Sequence, residues 1–394
     1  MRRAGCEQQT LRITRGQQTI PSVKQFRKLL TNGPFKQALV EFLFQEWQNC
    51  DPQILRGITV HLAHGAMCHS FTESEGHMYV NEVVELQCDH EEADSRLFLH
   101  AANVFLEHPK VEMRCSDTDV LVIAVSLQSK LSGKTFMLRG TASNRKLVNI
   151  AAIVDQLPYG IPEALIGLHV FTGCDSTSSF KGRGKRQPLQ VLLKNVHYAS
   201  AFTKLGRVWE LASRTIAKLE RFVCLLYRQN IDSLDIARHR VFVNNFRTDS
   251  SLPPTQDEFL LHAKRVNYQA AIHRRAVSRH ICAPPPGEHG WIVEDDSISM
   301  LWMTKPTAPE CLLQNAFCSC QKTACSNNQC SCRSKGVDCS ELCGCLQCRN
   351  RSNTNETTDE GELLQCQSRP GDDILDLEDE QISFSESEDD SGED

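Results

Sequence analysis

The chain has 394 residues, 23% of them charged and 40% hydrophobic, an ordinary composition for two or three folded domains of roughly 100–200 residues each. Its apolar runs reach no more than six residues, as at Val120–Val125, against about 20 for a membrane span, and no apolar stretch follows the first arginines, so neither an anchor nor a secretory leader is expected. The net charge of −6 is uneven: residues 371–394 hold twelve acids and no Lys or Arg, leaving the preceding 370 at +6, an asymmetry that points toward nucleic acid or chromatin.

Residues 1–34 read as a basic, irregular N-terminus. Apolar spacing at Phe35, Ala38, Leu39, Phe42, Leu43 and Trp47 predicts an amphipathic helix. Gly57–Ala63 reads as a strand, and Glu91–Glu107 as a helix with Leu97, Phe98, Ala101, Val104 and Phe105 on one stripe. Thr118–Val125 (TDVLVIAV) reads as a strand buried on both faces, as inside a parallel sheet. Ala164–Phe171 is mostly apolar, and Pro188–Val196 reads as another helix. Helical patterns alternating with buried strands predict an α/β domain with a parallel sheet over 35–202. Residues 203–310 read as a mostly helical extension, with helices at Trp209–Ala217, Leu219–Tyr227 and Phe259–His280. The last of these carries Lys264, Arg265, Arg274, Arg275 and Arg279, either a solvated face or one side of a nucleic-acid groove. A cysteine-rich segment fills 311–351. The acidic remainder, 352–394, is expected to be disordered.

Nine of the 19 cysteines fall between 318 and 348, spaced C-x-C-x4-C-x4-C-x-C-x6-C-x3-C-x-C-x2-C: Cys318, Cys320, Cys325, Cys330, Cys332, Cys339, Cys343, Cys345 and Cys348. An odd number cannot pair completely as disulfides, so metal is the better reading. Structural Zn²⁺ takes four thiolates, and nine thiolates satisfy about three ions if three of them bridge. Such a cluster is anionic, and Lys322, Arg333, Lys335 and Arg349 lie near it in sequence to balance it.

This segment resembles the tesmin-like CXC domain, with all nine cysteine positions matching. The resemblance implies three zinc ions, DNA or chromatin as partner, and a nuclear, reduced setting. One position departs: Gln329 stands where DNA-binding members tend to carry a tyrosine.

A second constellation is acidic. Glu91, Glu92 and Asp94 open the 91–107 helix (HEEADSR), Asp117 and Asp119 flank the start of the apolar run (SDTDVLVIAV), and Asp175 follows Gly173 and Cys174. Several carboxylates in one cleft repel unless cations neutralise them, and hard oxygen ligands favour Mg²⁺ or Mn²⁺. In order and spacing these motifs resemble the acidic motifs of flap-endonuclease (XPG-like) nucleases of the PIN-fold superfamily. That resemblance implies Glu92, Asp94, Asp117, Asp119 and Asp175 as ligands of two metal ions in phosphodiester cleavage. It also places the basic turn Lys181, Arg183, Lys185 and Arg186 where those nucleases bind nucleic-acid phosphate. Motifs and cysteine segment together are similar to a group of animal proteins of mobile-element origin.

Nucleases of this fold carry a further metal-binding Asp in their first strand. Before Glu41 this chain has one acid, Glu7, so the strand and its Asp are expected to be missing. Two readings follow: an inactive nuclease-like scaffold joined to a zinc module, or an active Mg/Mn-dependent nuclease acting on DNA or RNA. The oligomeric state is not legible.

Overall fold

The computed structural model describes residues 22–141, 144–245, 252–294, 297–305, 318–339, 343–345 and 348–350, with Ile13 and Gly16. The acidic tail and much of the N-terminal segment lie outside the described residues. The chain divides into two compact units, Met1–Pro306 and Thr307–Asp394.

In the first unit, α1 (Val23–Leu29) precedes α2 (Gly33–Gln48). Asn32 starts α2 by accepting the Phe35 N–H at 3.0 Å, and Pro34 sits in the first turn, where its missing N–H costs nothing. Three strands follow, β1 (Val60–His64), β2 (Met67–Ser74) and β3 (His77–Glu82), in an antiparallel meander. Phe44 and Trp47 of α2 meet Phe71 of β2 edge-on, each at 5.9 Å.

A second small sheet follows. After α3 (Ala93–Val104) come β4 (Lys110–Arg114), α4 (Thr118–Leu127), β5 (Lys134–Thr141) and β6 (Asn144–Asn149). β4 pairs parallel with β5, and β6 pairs antiparallel with β5. The architecture is therefore mixed α/β. Among the described residues the expected parallel sheet comes down to this one parallel pair.

The segment Thr118–Val125, expected as a strand, lies in helix α4. Val120, Ile123, Ala124, Val125, Ser126 and Leu127 are all buried, so no polar face imposes a helical period on the sequence. A short apolar run of this kind cannot be told from a buried strand by pattern alone. The Asp117 carboxylate, accepting the Asp119 N–H at 2.8 Å, starts the helix.

The remaining elements are α5 (Ile150–Gln156), α6 (Ile161–Phe171), α7 (Arg186–Lys194), α8 (Ala199–Lys204), α9 (Ser213–Leu226), α10 (Leu234–Asn245), α11 (Gln256–Arg274) and the hairpin β7 (Trp291–Glu294) with β8 (Ser297–Met300). The apolar segment 164–171 belongs to α6, so Asp175 follows a helix end and not a strand end. One continuous apolar core runs from Phe98 to Ala276 and joins the α/β segment to the helical extension. At its centre Ser126 of α4 donates to the Pro162 carbonyl at 2.7 Å and accepts the Ile166 N–H at 3.2 Å. Gly167 lets α6 lie against α8, since a Cβ there would meet the Phe202 carbonyl oxygen at 2.2 Å.

In the second unit the buried core cluster consists of Cys318, Cys325, Cys330, Cys332, Cys339 and Cys343. One helical turn, Ser331–Ser334, starts at Cys330, whose sulfur accepts the Arg333 N–H at 3.5 Å. No helix among the described residues is long and apolar enough to cross a membrane.

Candidate functional site

Three helix ends carry the acids singled out above. Glu92 immediately precedes α3 and Asp94 lies in its first turn; Asp117 and Asp119 hold the same places on α4. Asp175 follows the C-terminus of α6. These carboxylates feel one another. Partial desolvation raises the Glu92 pKa, and repulsion from Asp94, Asp119 and Asp175 adds to it. Asp94 is raised by desolvation first, then by Asp117, Asp119 and Asp175. The structure thus puts the five candidate ligands in one electrostatic neighbourhood. It does not draw them to metal-binding spacing: among the described residues, the groups of three or more potential ligand atoms within 4.8 Å of one another are all cysteine.

Asp119 behaves differently from Glu92 and Asp94. The His169 ring nitrogen Nε2 lies 2.7 Å from its Oδ1, and this hydrogen bond is the main cause of its lowered pKa. The Lys185 charge adds to the effect. Lys185, expected to face phosphate, turns its ammonium onto the carbonyl oxygens of His169 and Gly173 at the end of α6. The rim therefore carries two internal partners for Asp119: His169, which sequence reading missed, and Lys185, which it had assigned to phosphate. His169 is nearly buried in an apolar helix, and only the fold brings it across to α4.

The rest of the basic turn is split. Lys181 and Arg186 are exposed, whereas the Arg183 guanidinium lies 4.8 Å from the Tyr227 ring centre. On α11 and at its C-terminal cap, Arg275, the arginines mostly grip backbone. Arg265 donates to Gly290 and Leu301, Arg274 to Leu205, Glu163 and Phe202, and Arg275 to Gly206 and Ala271. Arg279, beyond the helix, donates to Gln87. These groups brace the fold, which removes most of the cations from the expected groove.

The cysteine centre is tighter. Sulfur–sulfur separations are 3.6 Å for Cys318–Cys325, 3.7 Å for Cys318–Cys339, 3.7 Å for Cys330–Cys339 and 3.5 Å for Cys332–Cys343. With Zn–S near 2.3 Å, sulfurs at the corners of a tetrahedron lie ~3.8 Å apart. Three four-thiol sets form: Cys318, Cys320, Cys325 and Cys330; Cys318, Cys330, Cys332 and Cys339; Cys318, Cys325, Cys339 and Cys345. Cys345 and Cys348 both hydrogen-bond with Cys325, so all nine candidates meet in one cluster.

Backbone turns make this possible. Ala324 and Cys325 adopt left-handed φ of 47° and 56°, a region that side chains with a Cβ rarely occupy. The Gly344 N–H donates to the Cys318 carbonyl at 2.9 Å and the Cys339 N–H to the Asn350 carbonyl at 2.7 Å. Burial and neighbouring thiols raise Cys332 to about 12. Burial also pushes Cys330 up, but the Arg333 N–H and the Cys318 and Cys339 thiols donate to it and bring it down to about 6. Thiols crowded at these separations share hydrogen bonds, and a dication that takes four thiolates would displace the remaining protons. Donor type, spacing and burial fit zinc. Lys322, Arg333, Lys335 and Arg349 are exposed around it.

No known protein family matches the chain, and no solved structure matches it. Protein lin-54 homolog of Drosophila melanogaster is 35% identical over 48 residues, 12% of this chain and 5% of that protein. The chain therefore corresponds to a small fraction of that relative. The class the structure defines is a mixed α/β body with a separate nine-cysteine centre fit for zinc.

Proposed function

We propose that this protein is a zinc-binding protein that works on nucleic acid or chromatin in the nucleus, through a CXC-type module carried by a degenerate PIN/flap-endonuclease-like body. The observation that carries the reading is the gathering of thiol sulfurs at 3.5–3.7 Å in overlapping sets of four. Cys318 belongs to all three sets and Cys325, Cys330 and Cys339 to two each, which supports bridging thiolates; about three zinc ions is what nine thiolates with three bridges would hold. The 35% identity to Protein lin-54 homolog over 48 residues is further support for the module.

Metal analysis of reduced, chelator-free protein tests the centre: about three zinc per chain is expected, and near zero refutes it. Fluorescence anisotropy with duplex DNA across a salt series tests the partner. Binding that weakens steeply with salt and disappears in Cys325→Ser supports the reading; no binding at low salt overturns the nucleic-acid half.

A second reading, an active Mg/Mn-dependent nuclease, rests on the shared field of Glu92, Asp94, Asp117, Asp119 and Asp175. The scaffold reading is favoured because His169 and Lys185 already compensate Asp119. Incubation with flap and single-stranded DNA plus Mg²⁺ or Mn²⁺ separates the two. Cleavage abolished by Asp117→Asn would establish the enzyme.

A further inference from the structure

Beyond the acidic rim, the first unit holds a cavity of about 380 Å³ between the loop after α6, the helices α9 to α11 and Trp302. That volume falls in the ~300–1,000 Å³ range of small-molecule sites. Its ionic lining is three cations, Lys181, Arg238 and Arg265, against one acid, Glu258. Glu258 is committed to the cap of α11, its Oε2 accepting from the Thr255 N–H and hydroxyl at 2.8 and 3.0 Å. Among the described residues none of the three cations has a carboxylate partner.

Arg265 makes the imbalance specific. It is 1% exposed and its Nε has no hydrogen-bond partner. Its Nη1 donates to the Gly290 and Leu301 carbonyls at 3.0 and 2.7 Å, and its guanidinium lies 5.8 and 5.7 Å from the Trp291 and Trp302 ring centres. A buried cation with no counter-ion is costly, and an anion in the cavity would offset its charge through space. Burial alone lowers its pKa.

The rest of the wall is flat and apolar. Phe180, Tyr227 and Trp302 contribute rings, and Trp302 is 59% exposed. A polar handle sits among them. The His262 Nε2 lies 2.8 Å from the Phe171 carbonyl oxygen and must donate to it, so its Nδ1 accepts from the Ser178 hydroxyl at 3.1 Å. The Ser178 oxygen keeps its lone pairs for an N–H or O–H of a ligand.

We infer that this cavity binds a nucleotide unit, an aromatic ring carrying a phosphate, with Lys181 and Arg238 as the anion-facing groups, Arg265 as an uncompensated charge buried in the wall, and Trp302 as a stacking platform. Excess cationic charge selects the phosphate, and the exposed Trp302 ring selects the planar base. The unit is supplied either as a free nucleotide or as one residue of a single strand. The inference is independent of the zinc reading.

Titration calorimetry on the full, zinc-loaded chain tests it with three probes: 5′-AMP, inorganic phosphate, and a DNA single strand of about 12 nucleotides. Saturable AMP binding, weakened about tenfold by Trp302→Ala and also weakened by Lys181→Ala and Arg238→Gln, establishes a free-nucleotide site. The same losses seen with the strand, and little AMP binding, establish the strand as the source. Trp302 and Lys181 are exposed, so their variants should keep the wild-type circular dichroism spectrum and melting temperature. Phosphate binding as tightly as AMP overturns the proposal. So does the absence of any binding, or strand binding lost in Cys325→Ser yet untouched by the three cavity variants.

Discussion

Burial decides the protonation of individual residues here. His262 and His273 are held down to about 4, desolvation being the largest cause for both. In the unfolded chain each titrates near 6.5. Between pH 6.5 and 4 the unfolded state takes up protons that the native state refuses. The stability these residues contribute is therefore complete above about 6.5 and lost as pH falls, at up to ~1.4 kcal/mol per pH unit for each histidine. Glu92 and Asp94, raised in the native state, act in the opposite sense, so the comparison belongs between wild type and His273→Gln. Urea midpoints at pH 7 and pH 5 should differ less in the variant; equal differences would refute the claim. The order and spacing of the acids are local, so they could be singled out in sequence as candidates. His169 could not, since its link to Asp119 spans 50 residues and depends on how α4 meets α6.

Helices α4 and α6 show what pattern reading loses. Both are apolar nearly all round, and a helix without a polar face shows no period. Their starts were nonetheless written in the chain: Asp117 at the head of α4, and Gly160 with Pro162 at the head of α6. Asp117→Ala should destabilise the first unit by about 0.5–2 kcal/mol through the lost cap, read as a lower thermal midpoint. Gly167→Ala is a sharper probe of the helix crossing. The added methyl would collide with backbone at the Phe202 carbonyl, and backbone cannot rotate aside. A net loss of about 1–3 kcal/mol is expected despite alanine's better helix propensity. A midpoint equal to wild type would mean that α6 and α8 lie farther apart than described.

The two units of the molecule are stabilised by different chemistry. The first has an extended apolar core; among the described residues the buried cluster of the second is made of cysteines. Cysteine is a small hydrophobe, and a few of them cannot offset the ordering of the chain around them without metal. Chelation should therefore unfold the 318–350 segment and leave the first unit's melting transition where it was. Differential scanning calorimetry with and without chelator reads this directly, and a first-unit transition that moves with zinc would refute it. The cysteine centre was the most legible part of the whole chain, because nine identical ligands at short fixed spacings need no long-range contact to be recognised.

A unit whose interior is sulfur ages by chemistry more than by heat. Once emptied, thiols 3.5–3.7 Å apart are within easy reach of oxidation to cross-links that lock out the returning ion. Its working lifetime is then set by the supply of reductant around it, and a brief oxidative pulse would be enough to silence it.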